Sequence, residues 1–483
     1  MKRKIAALTA GMLVVCLAGC GKEGFDKLLD PKNPVSLTVW HYYNGSQQNA
    51  FDSLVDEFNE TEGKEKGIFV QAYSQGSVED LEAAVNASIN EEVGSQKMPD
   101  IFSSYADTAY EVEQMGKLAD LTTYLTEEEL DEYVDSYIEE GRIAKDNGLR
   151  IFPVAKSTEI MMLNKTDWDV FAAETGVELE QLATIEGVVE VARQYYEWTD
   201  AQTPDIPNDG KTFYGRDAQA NFFVIGTRQL GQEIFEVKDG KVKLNMDKEI
   251  MHRIWDTYYV PYIKGYFGAY GKFRSDDVKT GDMLAFTGST TASMYFPSQV
   301  ETEDDSYSID YTVLPAPIME GGENYNVQQG AGMVVSKTDE AREYAAVTFL
   351  KWFTETENNL KFGCSSGYLP VKKDAMSKKE LDKVITDENI EIPDTTYDSL
   401  NLIIDSKEPV TLYTSKAFAK GFNARKVLEY NLSDLAKEDR EAVKAALAGG
   451  EDLETACEPF VDEAHFEEWY EDFSKALTEI VEE

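Results

Sequence analysis

Short apolar runs alternate with stretches of helical periodicity from residue 37 onward, and this alternation restricts the possible folds more than any other feature. Apolar side chains dominate residues 37–40, 68–73 and 99–102, which predicts three strands. Between them, residues 51–58 and 81–89 carry apolar side chains at helical spacing. Strands that alternate with helices form a parallel sheet covered by helices. The first part of the chain is therefore predicted to be an α/β domain.

The remainder of the chain continues with mixed strand and helix signals. Residues 151–164 are predicted to be extended, and Val334 and Val335 mark another strand. A strong amphipathic pattern predicts one helix that begins near Ala341 and ends at Gly363. Beyond residue 370 the chain is predicted to be helical and acidic. The 483 residues are enough for two lobes, each with a sizeable core.

The first twenty residues have the order of a secretory signal. A basic start at residues 1–4 precedes the apolar run 5–17, and residues 17–20 read Leu-Ala-Gly-Cys. This end resembles the bacterial lipoprotein signal, whose cysteine is acylated and becomes the new N-terminus. We expect a signal peptide over 1–19, lipidation at Cys20 and a polar tether over 20–36. The expected location is the outer face of the cell membrane of a Gram-positive bacterium. An ordinary signal peptide with a nearby cysteine is the alternative.

Charge and composition exclude several kinds of partner. The formal net charge of −44 disfavours binding to nucleic acid and to anionic lipid headgroups, although local cations in a cleft still permit an anionic small ligand. His41, His252 and His465 are too far apart in sequence for a zinc motif, so we expect no metal site and no cofactor. Cys364 and Cys457 do not form a disulfide framework, and whether they pair stays open. The protein is expected to be a monomer.

Two motifs resemble catalytic sequences but lack the required context. Residues 363–367 match G-x-S-x-G, which in a nucleophile elbow lies between a strand and a helix. Here a predicted helix precedes the motif and Tyr-Leu-Pro follows it, so we interpret it as a glycine-rich helix terminus. Residues 268–272 lack the spacing of a phosphate-binding loop. No catalytic constellation remains, and we expect that the protein is not an enzyme.

Aromatic and small polar residues cluster after several predicted strands. Ligands of open α/β sheets bind at the carboxyl ends of strands, and aromatic faces with a few hydroxyl and amide groups suit a polar solute such as a sugar. Each cluster alone also fits an ordinary turn. The candidates for ligand binding from these positions are Tyr42, Tyr43, Asn44, Ser77, Tyr105, Asp107, Gly288 and Ser289.

Several segments in order resemble the family 1 extracellular solute-binding proteins of ABC importers. The resemblance covers about residues 36–380, and Gly-Tyr-Leu-Pro-Val at 367–371 is its most specific short match. The other segments that carry it are 37–59, 99–102, 152–165, 313–317 and 329–334.

This resemblance implies an α/β, two-lobed periplasmic-binding-protein type II fold that closes over a solute, and the closed form is recognised by a membrane permease. It implies a first lobe over 37–152 and 318–366, and a second over 153–317 and 367–483. The implied hinge segments lie near 151–158, 313–318 and 366–371.

The resemblance also implies roles for individual residues. Tyr368 is expected to contact ligand from the hinge, Gly330 to offer a backbone N–H and Ser289 to donate from the second lobe. Lys156, Ser157 and Gln329 are expected to line the crossing segments. Two alternatives stay open for Lys156: a cation that faces the ligand, or an ion pair with Glu159 or another acid of the cleft.

The expected function is capture of a small polar solute, a carbohydrate first, for delivery to an ABC permease. A polyamine or a phosphorylated polyol is the alternative solute. Acids in the cleft would favour the polyamine, and clustered cations the phosphorylated polyol. Two other classes are a surface polysaccharide hydrolase, which needs a carboxyl pair in a cleft, and a sensor or adhesion lipoprotein without a permease.

Overall fold

The computed structural model describes residues 22–238, 240–302, 305–407 and 410–482. The predicted lipidation site, Cys20, and the signal peptide lie outside these residues. The strands are β1 (Val35–His41), β2 (Ile68–Ser74), β3 (Ile101–Ser104), β4 (Ile151–Phe152), β5 (Glu159–Asn164), β6 (Thr212–Arg216), β7 (Phe235–Lys238), β8 (Lys241–Leu244), β9 (Met283–Ser289), β10 (Gln299–Glu301), β11 (Ser306–Ser308), β12 (Tyr311–Pro315), β13 (Tyr325–Val327), β14 (Gly332–Val335) and β15 (Thr411–Tyr413).

Helices separate most of the strands. They are α1 (Gly45–Glu60), α2 (Glu62–Lys66), α3 (Val78–Ile89), α4 (Ala106–Gln114), α5 (Glu127–Leu130), α6 (Asp135–Gly141), α7 (Lys165–Thr175), α8 (Ile185–Asp200), α9 (Gln219–Gln229), α10 (Lys248–Ile254), α11 (Val260–Ile263), α12 (Arg274–Lys279), α13 (Glu340–Phe353), α14 (Thr356–Ser366), α15 (Lys378–Asp387), α16 (Asp394–Ile404), α17 (Gly421–Ala448), α18 (Leu453–Val461) and α19 (Glu463–Glu482). Within the described ranges, no helix has both the length and the apolar character that crossing a membrane requires.

The first sheet has the order β2-β1-β3-β14-β4 and is the centre of the part that we call lobe 1. Strands β1, β2 and β3 are parallel, as the alternation of strand and helix predicts, while β14 runs antiparallel to β3 and β4. Side chains such as Leu37, Phe51 and Phe349 form a buried core on one face of the sheet. A smaller cluster around Trp40 and Phe102 lies on the opposite face. Both faces are therefore covered, as expected of a parallel α/β sheet.

The second sheet has the order β12-β5-β9-β6 and is the centre of lobe 2. Strand β5 lies between β9 and β12 and is antiparallel to both. The core of lobe 2 is large because the C-terminal helices pack into it, with Leu428, Trp469 and Phe473 all buried there. The predicted helical C-terminus is thus an integral part of lobe 2.

The chain crosses between the lobes at 154–158, at 328–331 and again between α15, which packs on α14, and α16, which packs on β12. Residues 154–158 leave the core of lobe 1 and enter β5, and residues 328–331 lead back into β14. The first two segments are hydrogen-bonded to each other, since the Ser157 N–H donates to the Gln329 carbonyl oxygen at 2.8 Å. Leu369 pairs with Lys156 across the same layer. The crossing segments therefore form one connected layer beneath the cleft.

The hinge expected at 313–318 is wrong. Residues 311–315 are β12, which pairs along β5 inside lobe 2. Ile318 continues in lobe 2, where its carbonyl accepts from the Ile185 N–H at 2.8 Å. The second crossing occurs at 328–331 instead, because the apolar residues Met319 and Val327 are still buried in the core of lobe 2.

Three other boundaries differ from expectation. The helix predicted from Ala341 to Gly363 is two helices, α13 and α14, because the backbone leaves the helical region at Glu355, where φ is −57° and ψ is 143°. Residues 371–387 lie in lobe 1 rather than lobe 2, since Val371 is buried in its core and α15 packs on α14. The expected tether is shortened: residues 22–28 form a 3-10 helix that packs on lobe 1.

The G-x-S-x-G segment is a helix terminus, as interpreted from the sequence. Helix α14 ends at Ser366, and Gly367 follows in the left-handed region with φ +74°. A Cβ at Gly367 would lie 2.8 Å from the Thr290 carbonyl oxygen of lobe 2. Glycine is required here by both conformation and space, so this position is a close contact between the lobes.

Candidate functional site

A cavity of about 330 Å³ lies between the two lobes. Lobe 1 lines it with the first turns of α3 and α4, which include Glu79, Glu82 and Tyr105. The crossing segment 328–331 contributes Gln328 and Gln329, and the first turns of α17 form the opposite wall. The cavity therefore collects side chains from both lobes and from the layer that joins them.

Acidic side chains dominate the wall from lobe 1. Glu82 is 8 % exposed and accepts a hydrogen bond from the Thr108 hydroxyl at 2.7 Å, while burial raises its pKa. Burial also raises the pKa of Asp107 to about 6, against the opposing attraction of the Arg425 guanidinium and the nearby Phe418 N–H. Both groups are costly to ionise in this place, so they favour a bound group that can donate hydrogen bonds.

The wall from α17 carries cations and aromatic rings. The Arg425 guanidinium donates to the Asn221 Oδ1 at 2.5 Å. The Lys426 Nζ lies 4.3 Å from the centre of the Phe422 ring. Glu429 accepts from the first N–H groups of α9, at 3.1 Å from Gln219 and 2.9 Å from Ala220, and so fixes α17 against the body of lobe 2.

Lys156 forms an ion pair and is 1 % exposed. Its Nζ lies 2.7 Å from the Glu140 Oε2 and 2.9 Å from the Gly330 carbonyl oxygen. Glu140 lines the cavity, so Lys156 pairs with an acid of the cleft and not with Glu159. Tyr137 lies on another side of the ammonium, 5.9 Å from Nζ to the ring centre.

Glu159 has a different partner. It pairs with the Arg216 guanidinium at 2.8 Å, and both side chains are buried. Asn221 links this pair to the cavity, since its Nδ2 donates to the Glu159 Oε1 at 2.8 Å and to the Gln329 Oε1 at 2.9 Å. Arg425 completes the network through the Oδ1 of the same amide. The side chain of Gln329, a residue nominated from the sequence, is therefore fixed by a hydrogen bond from lobe 2.

Three tyrosines lie next to each other on the lobe 1 side of the cleft. The hydroxyl groups of Tyr42 and Tyr368 are 3.3 Å apart, and the rings of Tyr42 and Tyr105 stack with centres 6.4 Å apart. Tyr105 also lines the cavity. Burial is the largest cause that raises the pKa of each of the three hydroxyls. They therefore remain neutral and able to donate and accept hydrogen bonds.

Several nominated residues do not face the cavity. Tyr43 is 1 % exposed and packs in the core of lobe 1, because it continues the inward face of β1 that holds Val39 and His41. Ser77 caps α3 in a capping box with Asp80, so its hydroxyl is already bonded. Asn44 is the exposed residue before α1 and makes no side-chain cap bond.

Four further nominated residues, Ser289, Gly288, Gly330 and Ser157, are not part of the cavity lining. Ser289 accepts from the Thr291 hydroxyl at 3.0 Å at the end of β9. Gly288 precedes it, and a Cβ there would lie 2.7 Å from the Asp217 Oδ2. Gly330 has φ +98°, and its carbonyl accepts from Lys156 while Ser157 is bonded through its backbone. These groups shape the crossing layer and the end of the second sheet.

Sequence reasoning missed the cavity residues of α17 and the acids that α3 and α6 bring to the cavity wall. Arg425 and Lys426 form a pair of adjacent cations in a strongly acidic C-terminal half, which is a weak signal. Glu82 and Glu140 had no signal among 90 acidic residues. Across residues 22–238, 240–302, 305–407 and 410–482, no group of three or more His, Cys, Asp or Glu side chains could hold a metal ion.

Comparison with known proteins assigns the family. The sequence model described as bacterial extracellular solute-binding protein matches residues 53–391, which is more than half of the chain. The chain belongs to the bacterial extracellular solute-binding proteins. A search among curated proteins gives no significant match. Four of the five strands of the lobe 1 sheet, the crossing layer and most of lobe 2 lie within the family match, whereas β1 precedes it and α17 follows it.

Solved structures of solute-binding proteins share the fold over nearly the whole chain. The cyclic alpha-maltosyl-1,6-maltose binding protein from Arthrobacter globiformis is 18% identical with a TM-score of 0.65, covering 93% of this chain and 99% of that one. UgpB from Mycobacterium tuberculosis, in complex with glycerophosphocholine, is 17% identical with a TM-score of 0.66 and covers 93% and 99%. A Listeria monocytogenes substrate-binding protein in complex with cycloalternan is 17% identical with a TM-score of 0.62 and covers 92% and 100%. The predicted two-lobed periplasmic-binding-protein fold is confirmed.

Proposed function

We propose that this solute-binding protein captures a neutral carbohydrate in the cavity between its lobes and delivers it to an ABC permease. The observation that carries the proposal is the opposite character of the two walls. Lobe 1 presents Glu79, Glu82 and Asp107, and α17 presents Arg425 and Lys426. A sugar hydroxyl donates to a carboxylate and accepts from a guanidinium or ammonium, so one neutral ligand satisfies both walls.

Charged solutes satisfy only one of the walls. A phosphorylated polyol would gain from Arg425 and Lys426, but it would approach the acids of lobe 1 with like charge. A polyamine would gain from these acids, but it cannot accept from Arg425 or Lys426. The aromatic side chains of Tyr105, Phe422 and Tyr430 add apolar faces, which suit the C–H faces of a sugar ring.

Known relatives of the fold are consistent with this proposal. Two of the similar solved structures are named for or contain oligosaccharides, the maltosyl-maltose and cycloalternan binders. A third contains glycerophosphocholine, so the fold alone does not select the solute. The chemistry of the cavity favours the carbohydrate.

The proposed site of action is the outer face of the cell membrane, with acylated Cys20 as the anchor. A family of extracellular solute-binding proteins fits that location. Two or more acyl chains on one residue hold a protein at the membrane stably, which would keep the receptor near its permease. Mass spectrometry of the mature protein tests this: we expect an acylated cysteine as the first residue, and an unmodified cysteine would contradict the anchor.

A thermal-shift titration tests the solute. Maltose, cellobiose, sucrose and ribitol form the neutral panel, with spermidine and glycerol 3-phosphate as charged probes. A sugar at about a hundredfold its Kd should stabilise the protein by roughly 2.7 kcal/mol. The proposal fails if all neutral probes leave the melting temperature unchanged. The same mixtures, analysed by chromatography after long incubation, test the hydrolase alternative, for which we expect intact sugar.

A polyamine is the second candidate. The excess of acids over cations in the cavity wall favours it, because Glu140 and Glu429 line the cavity as well as the acids of α3 and α4. Glu140 and Glu429 already bind Lys156 and the N-terminus of α9, which reduces the charge available to a polyamine. A shift with spermidine and none with any sugar would favour this candidate over the carbohydrate.

A further inference from the structure

Gln328 occupies the point where the crossing layer meets the cavity. Its side chain is 4 % exposed and lines the cavity wall, and its backbone N–H donates to the Tyr413 carbonyl at 2.8 Å. The backbone is thus held from lobe 2, while the side chain reaches helix α6 of lobe 1. The backbone of Gln328 is therefore fixed by lobe 2 and its side chain by lobe 1.

The orientation of the Gln328 amide follows from its neighbours. The Nε2 donates to the Ser136 carbonyl at 3.1 Å and to the Glu140 Oε2. Lys156 pairs with the same carboxylate oxygen. A rotated amide would place its Oε1 against the Glu140 carboxylate and exchange attraction for repulsion. The Oε1 therefore stays on the side away from Glu140.

The Gln328 Oε1 is a buried acceptor with no hydrogen-bond partner among the residues that the structure describes. A second such acceptor lines the same cavity. The Glu82 Oε1 accepts from Thr108, whereas its Oε2 is buried without a partner in the described part of the chain. A buried acceptor without a donor costs free energy, and a bound donor would recover it.

We propose that Gln328 selects the solute by accepting a hydrogen bond from it, and that Glu140 and Lys156 are positioning residues that fix the amide for this role. The inference rests on the proposed solute-binding function and sharpens its specificity. The bound group at this point is an O–H or N–H donor. Phosphate, sulfate, carboxylate and ether oxygens are rejected there, because they would meet an acceptor that cannot rotate.

The first test replaces the amide with an isosteric apolar side chain. Gln328→Met removes the acceptor, while Gln194→Met, at a half-buried position of α8 outside the cavity lining, is the matched control. Affinities for maltose, cellobiose and spermidine are measured by calorimetry. We expect about a tenfold loss in Gln328→Met for each probe that the unaltered protein binds, and no change in the control. Equal affinity of Gln328→Met and the unaltered protein would overturn the proposal.

The second test releases the amide without changing net charge. In the double variant Lys156→Met/Glu140→Gln, the Gln328 amide can rotate and present its Nε2 to the cavity. Inorganic sulfate, which accepts hydrogen bonds and donates none, is compared at low concentration with sodium chloride of equal ionic strength, because sulfate at high concentration stabilises any folded protein. Relative to chloride, it should raise the melting temperature of the double variant and not that of the unaltered protein. A merely structural role for Glu140 would lower stability without creating this sulfate response.

The outcomes separate this inference from the proposed function. If a sugar binds the unaltered protein and Gln328→Met equally, the function stands and the role of Gln328 falls. A second outcome is that spermidine binds the unaltered protein, no sugar binds it, and Gln328→Met abolishes the binding of spermidine. The carbohydrate function is then wrong, and the selection of a hydrogen-bond donor by Gln328 is supported. If sulfate stabilises the unaltered protein relative to chloride of equal ionic strength and no sugar does, both the carbohydrate function and the role of Gln328 are wrong.

Discussion

The hydroxyl oxygens of Tyr42 and Tyr368 lie 3.3 Å apart, although one follows the first strand and the other follows α14. The contact joins the end of β1 to the segment that packs on the crossing layer. Tyr368 is 7 % exposed, and its ring stacks on Phe362 at 5.9 Å with an angle of 9°. The hydroxyl and the ring of Tyr368 therefore have separate roles, which two substitutions can distinguish.

Tyr368→Phe keeps the ring and removes the hydroxyl. We expect a change in stability of about 1 kcal/mol and a fall of about fivefold in sugar affinity, because one hydrogen-bonding group of the cleft is lost. Tyr368→Ala also removes the packing on Phe362 and should cost about 3 kcal/mol. Chemical denaturation and calorimetry measure the two effects. Unchanged sugar affinity in Tyr368→Phe would remove this hydroxyl from the site.

The strands and helices of lobe 1 were predictable because local pattern decides them. Apolar runs and the capping box at Ser77 locate β1 and α3 to within a few residues. The same alternation separates Tyr42 from Tyr43, since Tyr43 continues the inward face beyond β1 and packs on the buried His41 ring with centres 5.2 Å apart. Position after the first strand nominates all three residues of the cluster, Tyr42, Tyr43 and Asn44, and does not by itself distinguish the inward side chain from the others.

The wall made by α17 was not predictable, because it depends on long-range packing. Arg425 reaches the cavity only because α17 packs on α9 and Glu429 caps that helix. Neither contact leaves a local pattern in the sequence. The break between α13 and α14 is similar: no proline or glycine marks it in the sequence, and the backbone leaves the helical region at Glu355, where ψ is 143°.

Asp217 should make the protein more stable as pH falls from 7 toward 4. Burial raises its pKa to about 6, while Arg274 opposes the shift. The folded state therefore binds this proton more tightly than the unfolded state, and the stabilisation is lost as pH rises through 6. Asp217→Asn keeps the shape of the side chain and should stabilise the protein by about 1–2 kcal/mol at pH 7. Urea titrations at pH 5 and 7 measure this difference.

A matched control is Asp434→Asn, at a side chain that is 67% exposed on α17. It should leave the pH dependence unchanged. The predicted sign is contradicted if Asp217→Asn is less stable than the unaltered protein at pH 7 and more stable than it at pH 5.

His41 should have the opposite effect in the same range. Burial lowers its pKa to about 4, so the folded state favours the neutral ring. Its contribution is fully present above pH 6.5 and is lost as pH falls toward 4, by up to about 3 kcal/mol. The Nδ1 accepts from the Tyr43 N–H at 3.1 Å, and His41→Asn offers a replacement acceptor. In urea titrations, the free energy of unfolding of this variant should fall less between pH 6.5 and pH 4 than that of the unaltered protein. An equal fall in both proteins would contradict the role of His41.

Cys364 and Cys457 should not react in the folded protein. Both are free and buried, and they lie in different hydrophobic clusters, so the question of their pairing is answered: they do not pair. Burial raises the pKa of Cys364 to about 12 and also raises that of Cys457. Iodoacetamide followed by peptide mass spectrometry should label neither residue in buffer and both in 6 M guanidinium. Rapid labelling of either in buffer would contradict the burial.

Gly421 and Asp107 should be energetically coupled across the cleft. A Cβ at Gly421 would lie 2.3 Å from the Asp107 Oδ1, so α17 can approach α4 this closely only with glycine at its first position. Gly421→Ala should push the helix or the carboxylate away and lower sugar affinity about tenfold. In Asp107→Ala the space is free, and adding Gly421→Ala should then have little further effect. Calorimetry on the two single variants and the double variant gives the coupling, expected to be about 1 kcal/mol or more.

Gly449→Ala, at the other end of α17, is the control, since its added Cβ would meet only its own helix, 3.1 Å from the Ala446 carbonyl. Additive losses in the double variant would show that the two residues act separately, and α17 would then not depend on this contact to close the cavity.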